Sequence, residues 1–358
     1  MLAVTEIIQT PATQRLTKLW SERYTPDLFS LAPTQDSWVF RELVEASSLQ
    51  GRAATIAKLQ ESLVNLNCQL AVIQAKALYE YISNVVNLRE ARQLTDFAFQ
   101  IYIKLLQIYQ QPSAISTFPM DKLWANSAYP PISAWGIPNI EDFAKVIEPA
   151  LIALQKQHVA SIDWRALGFM TTQLNFTNKL LLQRLTLVEQ ALINPYFKFV
   201  EEQAAIPWQR VCAAAAKHEL DSPAFLLVEQ MMPFSTDIAR TVYQELAQQF
   251  PEYRSRRGGL DNQDVARSCL RDLEMFQAYL WLSVLEDNMM PIKQELVTLC
   301  VMVVETVEVK WELTSQWNQL LIDEINSRIT PDQQAFLQPY VEGLKQSFYA
   351  KRRRLGMG

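Results

Sequence analysis

The residues best placed to do chemistry are Cys269, Arg271 and Asp272, in the run Cys269-Leu270-Arg271-Asp272-Leu273. They fall within Arg267–Leu285, where apolar residues recur at three- and four-residue spacing, so a helix is expected. On such a helix Cys269 and Asp272 emerge on one face, and Phe276, two turns on, continues that stripe. This face could line a flat ligand. Sulfur is a soft nucleophile, an ionised carboxylate accepts several hydrogen bonds, and a guanidinium is a planar cationic fork suited to a carboxylate. The plainer alternative is a small buried thiol beside a structural Arg271–Asp272 ion pair.

Other candidates carry less. His158 and His218 cannot alone make a three-ligand metal site, and both read as ordinary surface or partly buried residues. Cys68, Cys212 and Cys300 form no CxxC pair and read as core. Glu201-Glu202, and Glu305 with Glu308, put carboxylates on predicted helices. Without Glu-x-x-His pairs or an aspartate-rich motif they read as exposed helix faces rather than a metal centre, and an enzyme is not expected.

Composition narrows the classes further. Lys plus Arg total 33 against 38 Asp plus Glu, a net charge of −5 that disfavours a nucleic-acid partner. Eight glycines, of which only Gly258-Gly259 are adjacent, leave no phosphate-binding loop, so nucleotide-binding α/β folds are disfavoured. The most apolar stretch, Leu299–Val304, is closed by Glu305 and falls far short of the roughly 20 residues that span a bilayer, so membrane contact is expected to be peripheral at most. Met1–Ala12 lacks a charged-then-apolar signal pattern, and the cysteine usage fits a reducing cytosol.

The elements that must position these residues read as nearly all α. Leu59–Val86, Glu90–Gln110, Trp164–Ile193 and Ile206–Lys217 are helical by pattern. Asp221-Ser222-Pro223 and Thr330-Pro331 are helix starts, and Asn194-Pro195 reads as a stop. Between Gln111 and Pro138 five prolines with Trp124, Tyr129 and Trp135 predict a packed or partner-binding loop. The expected organisation is a helical amino-terminal region over 1–138, connecting helices over 139–221, and a globin-like domain over 222–358. The basic clusters Arg256-Arg257 and Lys351–Arg354 are the sharpest, the latter read as a helix end complementing its dipole.

The globin-like expectation comes from a resemblance. Ile238–Pro251 (IARTVYQELAQQFP), the loop Glu252–Asn262 (EYRSRRGGLDN), and Cys269-Leu270-Arg271-Asp272-Leu273 followed by Pro291 match the order and spacing of phycobiliprotein β-type subunits, allophycocyanin most closely. The resemblance covers about residues 222–330. It implies an all-α, globin-like light-harvesting fold for that segment, and the long helical amino-terminal region that precedes it is read from periodicity alone. It further implies a linear tetrapyrrole (phycobilin) joined to Cys269 by a thioether, with Asp272 accepting from pyrrole N–H groups and Arg271 pairing with a propionate; Phe276, placed on the same helix face by its spacing, would line such a pigment. The sequence departs from the family in several places. A basic pair four and five residues before the cysteine is replaced by Asp264-Val265, leaving Arg267 as partial replacement. Paired tyrosines become Met275-Phe276, an Ala-Gly-Asp becomes Glu286-Asp287-Asn288, and Tyr279 and Trp281 add bulk that could fill a pocket.

By resemblance the chain would be a non-enzymatic phycobilisome component, pigment-bearing or pigment-free, or an assembly factor or regulator of the antenna. Its partners would be proteins, phycobilisome subunits or further copies of itself, and it would lie in the cytoplasm at the cytoplasmic face of the thylakoid membrane. The competing reading is a globin-like sensor or scaffold in signalling that acts through protein contacts. A histidine-ligated haem is excluded within residues 222–330, which contain no histidine.

Overall fold

In the computed structural model the described residues are 7–24, 26, 37–80, 88–112, 136–147, 149–150, 165–255, 257–300 and 311–354. Most of the proline- and aromatic-rich loop, together with His158, Arg256, Glu305 and Glu308, lies outside them. The described residues are overwhelmingly helical, with one two-stranded hairpin, Arg254–Ser255 against Gly258–Gly259. The protein is therefore all-α, as its periodicity predicts.

Contacts divide the chain into two compact units, residues 1–20 with 205–358, and residues 21–204. These limits differ from the sequence boundaries at 138 and 221. Trp208–Ala214 packs against Gln263–Glu286 and so groups with the carboxy-terminal segment.

In the unit of residues 21–204 the helices are Ser37–Ser47, Leu49–Ala57, Glu61–Leu78, Leu88–Tyr109, Arg165–Leu182 and Leu187–Gln203, with a further helical stretch over 140–147. One expectation is corrected. The pattern over Trp164–Ile193 is not a single helix ending at Asn194-Pro195. Thr186 and Glu189 form a capping box that starts a new helix, and Pro195 sits inside it. Glu189 also accepts both contacts of Lys58 Nζ at 2.7 Å and one from Thr55 Oγ1 at 3.1 Å, which ties that helix start to the Leu49–Ala57 helix. Arg52, 1% exposed, satisfies its buried charge on the backbone oxygens of Ser47, Tyr109 and Gln111. On the Glu61–Leu78 helix the buried side is small or polar, namely Val64, Asn67, Cys68, Ala71 and Ala75. Its larger Leu66, Leu70 and Ile73 are exposed.

The other unit is built around the Gln263–Glu286 helix. From Leu273 to Leu285 every residue of that helix is buried, because other helices surround it: Trp208–Ala214, Pro223–Met231, Ser235–Gln249 and Pro331–Arg354. The caps anticipated in the sequence are present. Ser222 accepts from the Phe225 N–H with Pro223 in the first turn, and Thr330 and Gln333 cap each other reciprocally. Asn262 Oδ1 accepts from the N–H groups of Asp264 and Val265, starting the central helix. It ends at Asp287, held left-handed at φ 46° with its side chain accepting from Tyr340 Oη at 2.7 Å.

Candidate functional site

Cys269, Arg271 and Asp272 occupy the outer half of the central helix, where residues are half-buried, before the helix plunges into the core at Leu273. Arg271 and Asp272 pair side by side, Nη2 to Oδ1 at 3.0 Å and Nε to the same oxygen at 3.3 Å. Burial, reinforced by the Asp272 carboxylate, pushes the Cys269 thiol up to about 12, and Arg271 and Arg257 pull only partly the other way. At neutral pH the sulfur is thus overwhelmingly a thiol and a weak nucleophile.

Phe276 does not share that half-exposed surface. It is 4% exposed, stacked on Phe348 at 5.4 Å and near Trp317 at 6.0 Å. Tyr279 and Trp281, three and five residues further along the helix, are fully buried. The helical period that aligns Phe276 with Cys269 is real. Between them, however, the surroundings of the helix change from solvent to packed side chains.

The fold adds residues that the sequence pattern did not single out. Arg257, read only as part of a basic pair, comes from the hairpin loop to place Nη1 3.0 Å from Ser268 Oγ, next to Cys269. Tyr243 stands near enough to Cys269 that the sulfur helps to raise the phenol, after burial. The only prior signal for the loop's approach was Gly258-Gly259, a pair suited to a tight turn. Gly258 adopts φ 120°, a conformation L side chains rarely take.

The remaining candidates go elsewhere. Cys68, Cys212 and Cys300 are buried, as expected. His218 is half-buried. Its ring nitrogens contact Leu285 O at 2.7 Å and Ser222 Oγ at 3.2 Å, so it pins a turn to the end of the central helix. Glu201 receives bonds from Asn175 and Asn178, and Glu202 from Tyr24, so neither is an exposed helix-face carboxylate as the sequence suggested. Both are buried because polar side chains on neighbouring segments meet them. Among the described residues no group of His, Cys, Asp and Glu could hold a metal ion. None of the described helices is long and apolar enough to cross a membrane.

The carboxy-terminal helices are built around one buried helix, and a cysteine, a carboxylate and two guanidinium groups, one of them from the hairpin loop, gather at that helix's outer half. Residues 227–348 match the family model described as phycobilisome protein, so this segment is a phycobilisome-type, globin-like domain. No curated protein and no solved structure matches the chain.

The donor set fits a linear tetrapyrrole in kind. It provides one sulfur for a covalent link, one carboxylate for pyrrole N–H groups and two guanidinium groups for propionates.

Proposed function

We propose that the protein is a non-enzymatic component, assembly factor or regulator of a light-harvesting antenna, and that Cys269, Arg271 and Asp272 hold a linear tetrapyrrole on its globin-like domain. The observation that carries this reading is the half-exposed Cys-Leu-Arg-Asp surface inside the segment that matches the phycobilisome family. A bound tetrapyrrole would supply visible absorption. The protein's own part is to hold it: Asp272 as acceptor, Arg271 as the carboxylate fork, Cys269 as the anchor. In this reading Phe276 contributes from beneath, as the core side chain on which the outer half of the helix rests.

Because the thiol is held near 12, the site does not activate its own sulfur. Thioether formation, addition of S–H across a carbon–carbon double bond with the proton passing to carbon, would be slow without a base supplied from outside.

The surroundings support protein partners. The exposed Leu66, Leu70 and Ile73 follow four- and three-residue spacing along one side of the Glu61–Leu78 helix, as helix-mediated contacts require. In this reading the partners are antenna subunits or further copies of the chain, met in the cytoplasm at the thylakoid surface.

Expression in a bilin-producing host followed by intact-mass measurement tests the site. The expected result is one tetrapyrrole mass on the wild type and none on Cys269→Ala. Added mass that persists in the variant refutes the assignment. Recovery of antenna subunits on the immobilised colourless protein is expected under the pigment-free form, and failure of both experiments removes the antenna reading.

A further inference from the structure

The Glu61–Leu78 helix packs with its small and polar side inward, Val64, Asn67, Cys68, Ala71 and Ala75, and carries its larger apolar side chains outward. Leu66 is 51% exposed, Leu70 39% and Ile73 61%, with Leu63 half-buried at the head of the same line. A helix that buries its small side and exposes its large one leaves most of its apolar area in water. A contiguous stripe of that kind marks a contact surface.

Leu63, Leu66, Leu70 and Ile73 stand three, four and three residues apart, the period of a coiled-coil seam, and Ala77 extends it. The order three, four, three reads the same from either end. A two-fold axis across the middle of the stripe therefore lays it on a copy of itself with each side chain opposite another. Leu63 then meets Ile73 of the second copy, and Leu66 meets Leu70. Ser62 and Gln69 border the stripe on one side and Gln74 on the other, all uncharged, so a chain of net charge −5 can approach its own copy there without like charges facing each other. Lys76, on the side of Ser62 and Gln69, comes opposite Ser62 of the second copy.

The two ends of the stripe differ in charge. At its start lies an open cleft of about 390 Å³, lined by Lys58, Gln60, Leu63 and Leu66 among others. Lys58 Nζ holds both oxygens of Glu189 at 2.7 Å, yet its side chain is 43% exposed and an ammonium has a third donor. At the far end, just past the helix, Glu80 is exposed. Antiparallel pairing brings Ala77 and Glu80 of one copy over the cleft of the other, carboxylate toward ammonium, and sets the two helix dipoles against each other. Parallel pairing would stack Glu80 on Glu80 and align the dipoles.

We infer that the Glu61–Leu78 helix is a self-association face, which pairs antiparallel with the same helix of a second copy of the chain, Ile73 of each seated against Leu63 at the cleft of the other. This rests on the reading of the stripe as a protein-contact face, and not on the antenna assignment. The footprint is one helix wide and about 27 Å long, below the standard size of stable complexes, so the dimer exchanges with monomer.

Sedimentation equilibrium of the full chain over a range of concentrations tests the pairing. The expected result is a reversible monomer–dimer equilibrium with a dissociation constant on the order of 10–100 µM. Leu70→Gln, which takes a leucine from each side of the seam, is expected to raise that constant about tenfold or more. Circular dichroism unchanged by this substitution at an exposed position shows that the variant remains folded. A chain that stays monomeric throughout, or an equilibrium indifferent to Leu70→Gln, overturns the inference.

Cross-linking reads the direction. Chains carrying Leu63→Cys and chains carrying Ile73→Cys are oxidised with glutathione disulfide, alone and mixed, and linked peptides are identified by mass. The antiparallel pair puts position 63 opposite position 73 and keeps each position about 15 Å from its own counterpart, too far for a disulfide. A link between the two variants is therefore expected from the mixture, and none between two copies of one variant. A link from position 63 to position 63 overturns the antiparallel arrangement. A chain that stays monomeric yet captures antenna subunits, and loses them in Leu70→Gln, overturns self-pairing and leaves the antenna reading in place. A dimer with the expected link that captures none upholds self-pairing and counts against the antenna reading alone.

Discussion

Replacing Arg210 by Met should destabilise the globin-like unit far more than replacing Arg210 and Glu295 together. Arg210 Nη1 donates to both oxygens of Glu295, at 2.9 and 2.8 Å, and Nη2 approaches Glu286 at 3.4 Å. The Arg210 side chain is 13% exposed and that of Glu295 only 4%. This pair joins the Trp208–Ala214 helix to the Pro291–Leu296 turn, a π-helix that Pro291 opens, and to the end of the central helix. Burial works against the charge on Arg210, but the Glu295 carboxylate and its hydrogen bonds prevail and hold the guanidinium above its ordinary value. Removing the cation strands a buried carboxylate, which costs about 3–5 kcal/mol. That is a large part of the roughly 5–15 kcal/mol that holds a domain together. Arg210→Met with Glu295→Leu removes both charges and leaves chiefly the Tyr279 hydroxyl short of the partner it has in Glu295, so the double variant should lie within about 1–2 kcal/mol of wild type. Because the two units need not unfold together, the assay is native-state hydrogen exchange read by peptide mass, in urea rather than a salt. Peptides covering Trp208–Ala214 and Pro291–Leu296 should lose protection in the single variant and regain it in the double. A double variant as unprotected as the sum of the two singles refutes the coupling.

Four further outcomes are expected. Gly51→Ala should cost about 1–3 kcal/mol by thermal or urea unfolding, since its Cβ would fall 2.0 Å from the Glu45 backbone oxygen. Gly343→Ala should cost less, because it meets only the mobile end of Met289. Burial works against ionised Glu189, but the Lys58 and Thr186 hydrogen bonds outweigh it and lower its pKa below 4.5. That stabilisation is fully present above 4.5 and lost as pH falls through the lowered folded value, so the stability gap between wild type and Lys58→Met should close as acid is added; a gap independent of pH counts against it. Finally, the Cys269 thiol should be alkylated at neutral pH at least about a hundredfold more slowly in the native protein than in urea, because burial and Asp272 raise it from 9.0 to about 12; equal rates would show an accessible, unshifted sulfur.

Local chemistry made much of the fold legible. Apolar spacing along Glu61–Leu78, Leu88–Tyr109 and Gln263–Glu286 identified helices because a helix repeats over a few residues, and the caps at Ser222-Pro223 and Thr330-Pro331 are readable for the same reason. The Cys-Leu-Arg-Asp run announced a possible site because sequence neighbours on a helix stay neighbours in space. The Thr186–Glu189 start was missed although its capping box was in the sequence. The continuous apolar pattern masks it, and Pro195 reads as a stop although a proline can lie within a helix.

By itself, the sequence determined which stretches are helical and that a thiol, a guanidinium and a carboxylate stand together, since these depend only on residues a turn or two apart. Only the tertiary structure decided that Arg257 meets Ser268 across a loop, that Arg210 finds Glu295, and that Phe276 belongs to the core while Cys269 stays near the surface. Those outcomes depend on which segments surround each turn of the central helix, and a periodic pattern carries no record of the neighbours that distant parts of the chain will bring to it.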